Sequence, residues 1–202
     1  MSAVKPLCGP RSHRPGRQRG FSMVEALITV LIFAIGLLSV AGLQAVAKRS
    51  VYESVQRTTA AQLGTALLEK MRANPRALAV YASAGTLGGS TLGSVPPVQC
   101  DVPASSCSPE ELARFDLWQW EQQIDGQSAV SDGATTGGLL TPSACIRGPA
   151  DGSAALYTLV LAWQGSAEQT NEVADACGAG RYGADDAAKR IAVFSTYLDP
   201  LA

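Results

Sequence analysis

The hydrophobic pattern changes period along the chain. Residues 21–47, FSMVEALITVLIFAIGLLSVAGLQAVA, are apolar on every side of a helix, and Glu25 is their only charge. The 22 residues from Ala26 to Ala47 carry no charge at all. At a rise of about 1.5 Å each they span a hydrocarbon layer of about 30 Å, so this segment reads as a membrane-spanning helix. Beyond it the pattern becomes one-sided. Val51, Val55, Leu63, Leu67 and Met71 recur at spacings of four or eight, with Thr59 filling the gap. No proline interrupts the chain from Phe21 to Asn74, and Pro75 pushes the residue before it out of the helical region. The pattern predicts one helix of some fifty residues that continues from the apolar run into water.

Residues 83–97, SAGTLGGSTLGSVPP, read as an exposed loop that contributes nothing to the core. Ser108-Pro109-Glu110-Glu111 then has the form of a capping box with proline at the first helical position. Ala113, Leu117, Trp120 and Ile124 line one face of the helix it opens, with Phe115 and Trp118 toward the sides. Trp118 and Trp120 are read as core anchors. Residues 126–142 return to a Gly, Ser and Thr-rich loop. Leu156–Trp163 and Ile191–Leu198 are β-branched or aromatic-rich runs that predict strands, and Ser143–Arg147 is a weaker third. The expected fold is α+β: a long N-terminal helix, half membrane-spanning and half amphipathic, packed on a small antiparallel sheet. The expected domains are a leader at 1–20, a spanning helix at 21–47, an amphipathic extension at 48–82 and a head at 83–202.

Charge sharpens this division. The chain of 202 residues has a net charge of −1, yet residues 1–20 hold five basic side chains (Lys5, Arg11, Arg14, Arg17, Arg19) and no acidic one. Removing those five from sixteen leaves eleven basic against seventeen acidic residues, a net of −6 from Phe21 onward. An acidic body of this kind repels phosphate, which argues against nucleic acid as a partner. Five positive charges before the apolar run, against Lys48 and Arg49 just after it, predict a cytoplasmic N-terminus and a head across the membrane. His13 is the only histidine and lies in the basic tip, so no imidazole remains for general-base or metal chemistry in the body. Cys8 also lies in the tip, leaving Cys100, Cys107, Cys145 and Cys177. An even set in an exported chain predicts two disulfides and an oxidising compartment. Local pairing, Cys100 with Cys107 and Cys145 with Cys177, is favoured among the three possible connectivities. A zinc site is the weaker reading, because no Cys-x-x-Cys spacing is present.

Two further letter patterns carry no chemistry. Gly178 to Gly183 matches G-x-G-x-x-G, but it leads toward a strand rather than a helix, which excludes a dinucleotide site. Asp185-Asp186 reads as a solvated turn. No nucleophile motif occurs, so an enzyme is not expected, and neither is a cofactor or a metal.

The decisive segment is RQRGFSMVEALITVLIFAIG. It resembles the class III signal of type IV pilins and pseudopilins: basic leader, glycine, aromatic residue, three residues, glutamate, apolar helix. The resemblance implies that prepilin peptidase cuts between Gly20 and Phe21, that Phe21 becomes the methylated N-terminus, and that Glu25 serves assembly. Independently of any family, an acid inside the first turns of a membrane helix is costly, on the order of 2.5 to 3.5 kcal/mol on insertion scales. Placement at the interface is the competing account, since a carboxylate near the edge can snorkel. An ordinary secretory signal cut at Ala45-Val46-Ala47 is disfavoured because its apolar region is usually 7 to 15 residues long. An uncleaved anchor gives no reason for Glu25.

Further segments, FDLWQWEQQI, ACIRGPADGSAALYTLVLAWQG, the pair Cys177-Gly178 and RIAVFSTYLDP, are similar to the PilV family of minor pilins, the type IV pilus modification proteins. The leader is longer than in many relatives, and Gly36 and Gly42 carry the helix flexibility that proline supplies in some relatives. These resemblances imply a minor pilus subunit that moves from the inner membrane to the cell surface. Its implied partners are prepilin peptidase, other minor and major pilins, the inner-membrane assembly machinery and membrane lipid. A minor pseudopilin of a type II secretion system and a membrane-anchored periplasmic adhesin are the alternatives.

Overall fold

The absence of helix breakers between Phe21 and Asn74 has its direct consequence in α1, a single helix from Met23 to Ala73. The structure, a computed structural model, describes residues 20–102, 106–131, 133–135, 137–168 and 175–201. The basic leader with Cys8 and His13, and Pro103 between the first two body cysteines, lie outside the described residues. The chain divides into two units, one ending at Val46 and one beginning at Ala47.

In the first unit every described residue is exposed. Leu27, Leu31, Phe33, Leu38 and Leu43 are all more than half open, on all sides of the helix. A helix apolar all round suits lipid, and this one is long and apolar enough to cross a membrane.

In the second unit, the remaining turns of α1 bury one face. That face keeps the later part of the predicted stripe, Leu67 and Met71 with Leu63 packed beside them, but not its beginning. Val51 and Val55 are exposed, and the buried positions are Gln56, Ala60, Gly64, Leu67, Leu68 and Met71. Small residues displaced the larger ones because the sheet approaches closely here. A Cβ on Gly64 would stand 2.5 Å from the Phe194 ring. After Asn74 the chain makes a short 3-10 turn, Pro75–Ala77, and a helix α2, Leu78–Ala82.

Strand β1, Thr86–Leu87, lies within the segment read as loop and outside the core. That reading is corrected: Leu87 is fully buried, and β1 pairs antiparallel with β4 (Ser143–Arg147). Its two residues fall below what strand periodicity can register. Gly88, with φ of 107°, turns the chain where a Cβ would meet the Pro142 carbonyl oxygen at 2.5 Å. Helix α3, Pro109–Ile124, has the predicted capping box on Ser108 and Glu111, and the predicted face of Ala113, Leu117, Trp120 and Ile124 is buried. Phe115 is buried too, while Trp118 is only partly so. The loop read over 126–142 also holds structure, a hairpin of β2 (Val130–Ser131) and β3 (Ala134–Thr135), and buries Leu139.

The two long predicted runs are β5, Ala155–Gln164, and β6, Lys189–Leu198. They complete a four-stranded antiparallel sheet of order β1-β4-β5-β6. Its inner face carries Ala144, Ile146, Tyr157, Leu159, Leu161 and Trp163 into one core with α1, α2 and α3. Two disulfides cross-link this unit, Cys100–Cys107 and Cys145–Cys177.

Polar clamps fix the helices to one another. Asp116 is buried and accepts from Lys70 Nζ and the Tyr81 hydroxyl, each at 2.8 Å. Trp120 Nε1 donates to the Leu63 carbonyl at 2.8 Å, tying α3 to α1. Glu121, fully buried, accepts from the N–H groups of Gly88, Thr91 and Leu92 at 2.8 to 2.9 Å and from the Thr91 hydroxyl. One turn later Asp125 accepts from the N–H groups of Gly89 and Ser90 at 2.7 Å. These two acids are what hold the 88–92 segment against α3.

Two outcomes test this packing. Gly64→Val places branched carbon inside the Phe194 contact and should destabilise the protein by about 1–3 kcal/mol, read as a lower thermal midpoint of the detergent-solubilised chain. An unchanged midpoint would show that the helix and sheet do not approach so closely. Burial raises the Glu121 pKa, but its hydrogen bonds with Thr91, Gly88 and Leu92 outweigh burial and hold the carboxyl below its ordinary value. A depressed folded pKa stabilises above the unfolded value and loses that contribution as pH falls through the folded one. Glu121→Gln should therefore cost about 1–3 kcal/mol at neutral pH and flatten the acid limb of the stability profile below about pH 4. Parallel wild-type and variant profiles would contradict the clamp.

Candidate functional site

The first residues described, Gly20 to Glu25, lie where α1 begins. The Val24 N–H reaches the Ser22 hydroxyl oxygen at 3.3 Å, and the Ala26 N–H reaches the Ser22 carbonyl at 3.1 Å. The Ser22 hydroxyl thus satisfies one donor that a helix start leaves open, and its carbonyl accepts the first bond of the helix. Sequence reasoning passed over this serine, although Ser22-Met23-Val24-Glu25 has the S-x-x-E form of a capping box. The box itself is not formed among the described residues, because the Ser22 hydroxyl accepts from Val24 rather than from Glu25. Glu25 sits in the first turn, and its carboxylate has no hydrogen bond or ion pair among the described residues.

Phe21 is 83 % exposed, so nothing among the described residues shelters the ring. A Cβ on Gly20 would meet no heavy atom within 4 Å. Packing among the described residues therefore gives no reason for glycine at this position. The same holds for Gly36 and Gly42 farther along the helix. Within the apolar run, the Thr29 and Ser39 hydroxyls donate back to the carbonyls of Ala26 and Ile35, so neither is left unpaired in an apolar surrounding.

The remaining candidates lie in the second unit and are occupied structurally. Cys100, Cys107, Cys145 and Cys177 are consumed by the two disulfides. Gly178 to Gly183 forms a turn closed by Asp186, which accepts from the Gly180 and Tyr182 N–H groups at 2.9 and 3.2 Å. Asp186 is thus a loop clamp rather than the freely solvated residue expected from the sequence, while Asp185 is exposed. A groove beside α1 is lined by Tyr52, Gln56, Asp125 and Gln127 among others, but Gln56 is spent on the backbone of Gly138 and Leu140 and Asp125 on Gly89 and Ser90.

Against this geometry the comparisons are informative. The family described as Type IV pilin Tt1218 matches residues 42–118, and the prokaryotic N-terminal methylation motif matches residues 15–41. Over residues 15–118, the span of these two matches, the chain is similar to type IV pilins. No curated protein and no solved structure matches it. A type IV pilin is a structural subunit and not an enzyme. Its methylation motif implies processing by prepilin peptidase and assembly with other pilins. The apolar N-terminal helix suggests an inner-membrane stage followed by the pilus. The long helix packed on a four-stranded antiparallel sheet is consistent with the pilin fold.

Proposed function

We propose that this pilin is a minor subunit of the PilV type, taking part in assembly or modification of a type IV pilus. The supporting observation is Glu25: a carboxylate without a partner among the described residues, placed four residues after Phe21 in an otherwise charge-free apolar segment. Segments similar to PilV proteins occupy α3, β4 with β5, and β6, which is the support for a minor rather than a major role.

In this reading prepilin peptidase cuts between Gly20 and Phe21. The glycine requirement belongs to the peptidase site, since an unsubstituted extended backbone enters a protease cleft most easily. Cleavage creates a positive amine on Phe21, which is then methylated. That amine stands beside the positive end of the α1 dipole, so its favourable partner is an anion. Glu25 of a neighbouring subunit supplies one, and pairing offsets the cost of holding both charges in an apolar surrounding. The apolar helix keeps the subunit in membrane lipid with its disulfide-bonded head in the periplasm, until the assembly machinery transfers it to the filament.

The N-terminal residue of protein recovered from membranes should be N-methyl-Phe21. Recovery of an intact leader, or of a chain beginning at Lys48, would remove this reading. Glu25→Ala should leave insertion and cleavage intact and reduce recovery in sheared filaments by about tenfold or more. Glu25→Gln keeps a side chain that a capping box accepts but removes the charge, and it should fail in the same way. Filament recovery equal to wild type with either variant would eliminate the charge pair while leaving membrane anchoring untouched.

A further inference from the structure

The two edges of the sheet are unlike. β1 is two residues long and ends at Gly88, so that edge offers almost nothing to an incoming strand. β6 is ten residues long and its register with β5 is unbroken from Ala155 opposite Leu198 to Gln164 opposite Lys189. Edge strands are normally blunted by charge, proline, a bulge or brevity. The run Ile191–Leu198, IAVFSTYL, has no charge and no proline, and the unbroken register leaves no room for a bulge.

The register also settles which backbone groups face outward. The Gly165 N–H donates to the Ala188 carbonyl at 2.7 Å, and these residues stand opposite each other when the register is extended by one step. Directly opposed, hydrogen-bonded pairs recur at every second residue of an antiparallel ladder. Arg190, Ala192, Phe194, Thr196 and Leu198 therefore bond inward to β5. Lys189, Ile191, Val193, Ser195 and Tyr197 turn their N–H and C=O groups away from it. The Lys189 carbonyl accepts from Arg190 Nη1, as an outward group can. Ile191, Val193, Ser195 and Tyr197 have no backbone partner among the described residues. Their side chains lie on the sheet face away from the core, with Val193 48 % and Tyr197 66 % exposed, and Leu156 opposite Tyr197 is exposed as well.

We infer that the outer edge of β6, from Ile191 to Tyr197, is an assembly surface that receives an extended strand from the head of a different, non-identical pilin subunit. This rests on the pilin-subunit reading and identifies a contact within it. Only an extended backbone matches four outward N–H and C=O sites at strand spacing. An uncharged segment fits, because nothing on the edge would neutralise a charge. A second copy of this chain does not serve. Its β1 is too short to receive β6, and β6 against β6 gives a closed two-fold pair that does not propagate into a filament.

The test uses the full-length chain in piliated cells, with a photo-crosslinking phenylalanine analogue at Ser195 and, as control, at the exposed Ser94. The Ser195 position should yield an adduct of this chain with one other pilin-class subunit, and the Ser94 position should not. Ser195→Pro removes one outward donor without touching the ladder, and Ser195→Lys places a blunting charge on an unaltered backbone. Each loses the exposed hydroxyl bond between Thr158 and Ser195 at 3.0 Å, so both should lower the thermal midpoint by no more than a few degrees while lowering co-recovery of that subunit by about tenfold. An adduct only with a second copy, an adduct with a protein outside the pilin class, or undiminished co-recovery with both variants would overturn the inference. If the wild-type chain is present in sheared filaments but gives no Ser195 adduct, this contact alone fails. If it is absent from them, the pilin-subunit reading fails and the contact with it.

Discussion

The close approach of α1 to β6, made possible by Ala60 and Gly64, is the contact on which the rest of the second unit is built. With Phe194 lying where a Gly64 side chain would be, Leu67 and Met71 reach the common core without a gap. The same surface then needs its polar edges satisfied. Glu53, one turn before the buried face, accepts from the Ser166 N–H at 2.6 Å and pairs with Arg190 at 3.4 Å. At the other end the Arg72 guanidinium donates to the Thr196 hydroxyl at 2.6 Å. Charged groups thus bracket a contact made of small and aromatic surfaces.

This arrangement explains which features were legible in the sequence. The apolar run, the helix from Met23 to Ala73, the capped α3 and the strands β4 to β6 each repeat a pattern over enough residues to register. The amphipathic stripe was misread at its beginning, because hydropathy favours Val51 and Val55, whereas close packing favours residues with little or no side chain. β1 was invisible for another reason. Two residues carry no period, and the Gly-rich context that resembles a loop is there to let Leu87 enter the core and the chain turn back. The Glu121 and Asp125 clamps were also hidden, since acids at i and i+4 on a helix ordinarily read as a solvated face, and only the returning loop converts them into acceptors.

The site was legible to a different extent. Gly20, Phe21 and Glu25 stand out by type and spacing, while Ser22 did not, because the resemblance that draws the eye to glycine and glutamate is silent about the residue capping the helix. In the structure the Ser22 hydroxyl caps the helix through the Val24 N–H, and among the described residues Glu25 makes no return bond to the cap. A glutamate at the third helical position commonly folds back on the cap N–H. Here its carboxylate is left over, next to a helix end whose dipole already favours an anion.

The unpaired groups of this chain therefore have a common character. Buried polar groups elsewhere are mostly satisfied inside the fold, as Asp116, Glu121 and Gln56 show. Among the described residues, two unpaired sets stand apart at the surface by their setting: a carboxylate in an apolar helix, and a row of strand amides and carbonyls bordered by exposed Val193 and Tyr197. Each asks for a different chemistry. A carboxylate in a low-dielectric surrounding calls for one positive charge at close range, which constrains the end of a neighbouring chain. An open, uncharged strand edge calls for four or five uncharged residues of extended backbone. Two contacts of unlike chemistry select a partner more sharply than either alone, because a chain that satisfies the first through a common N-terminus must still present the right strand to satisfy the second.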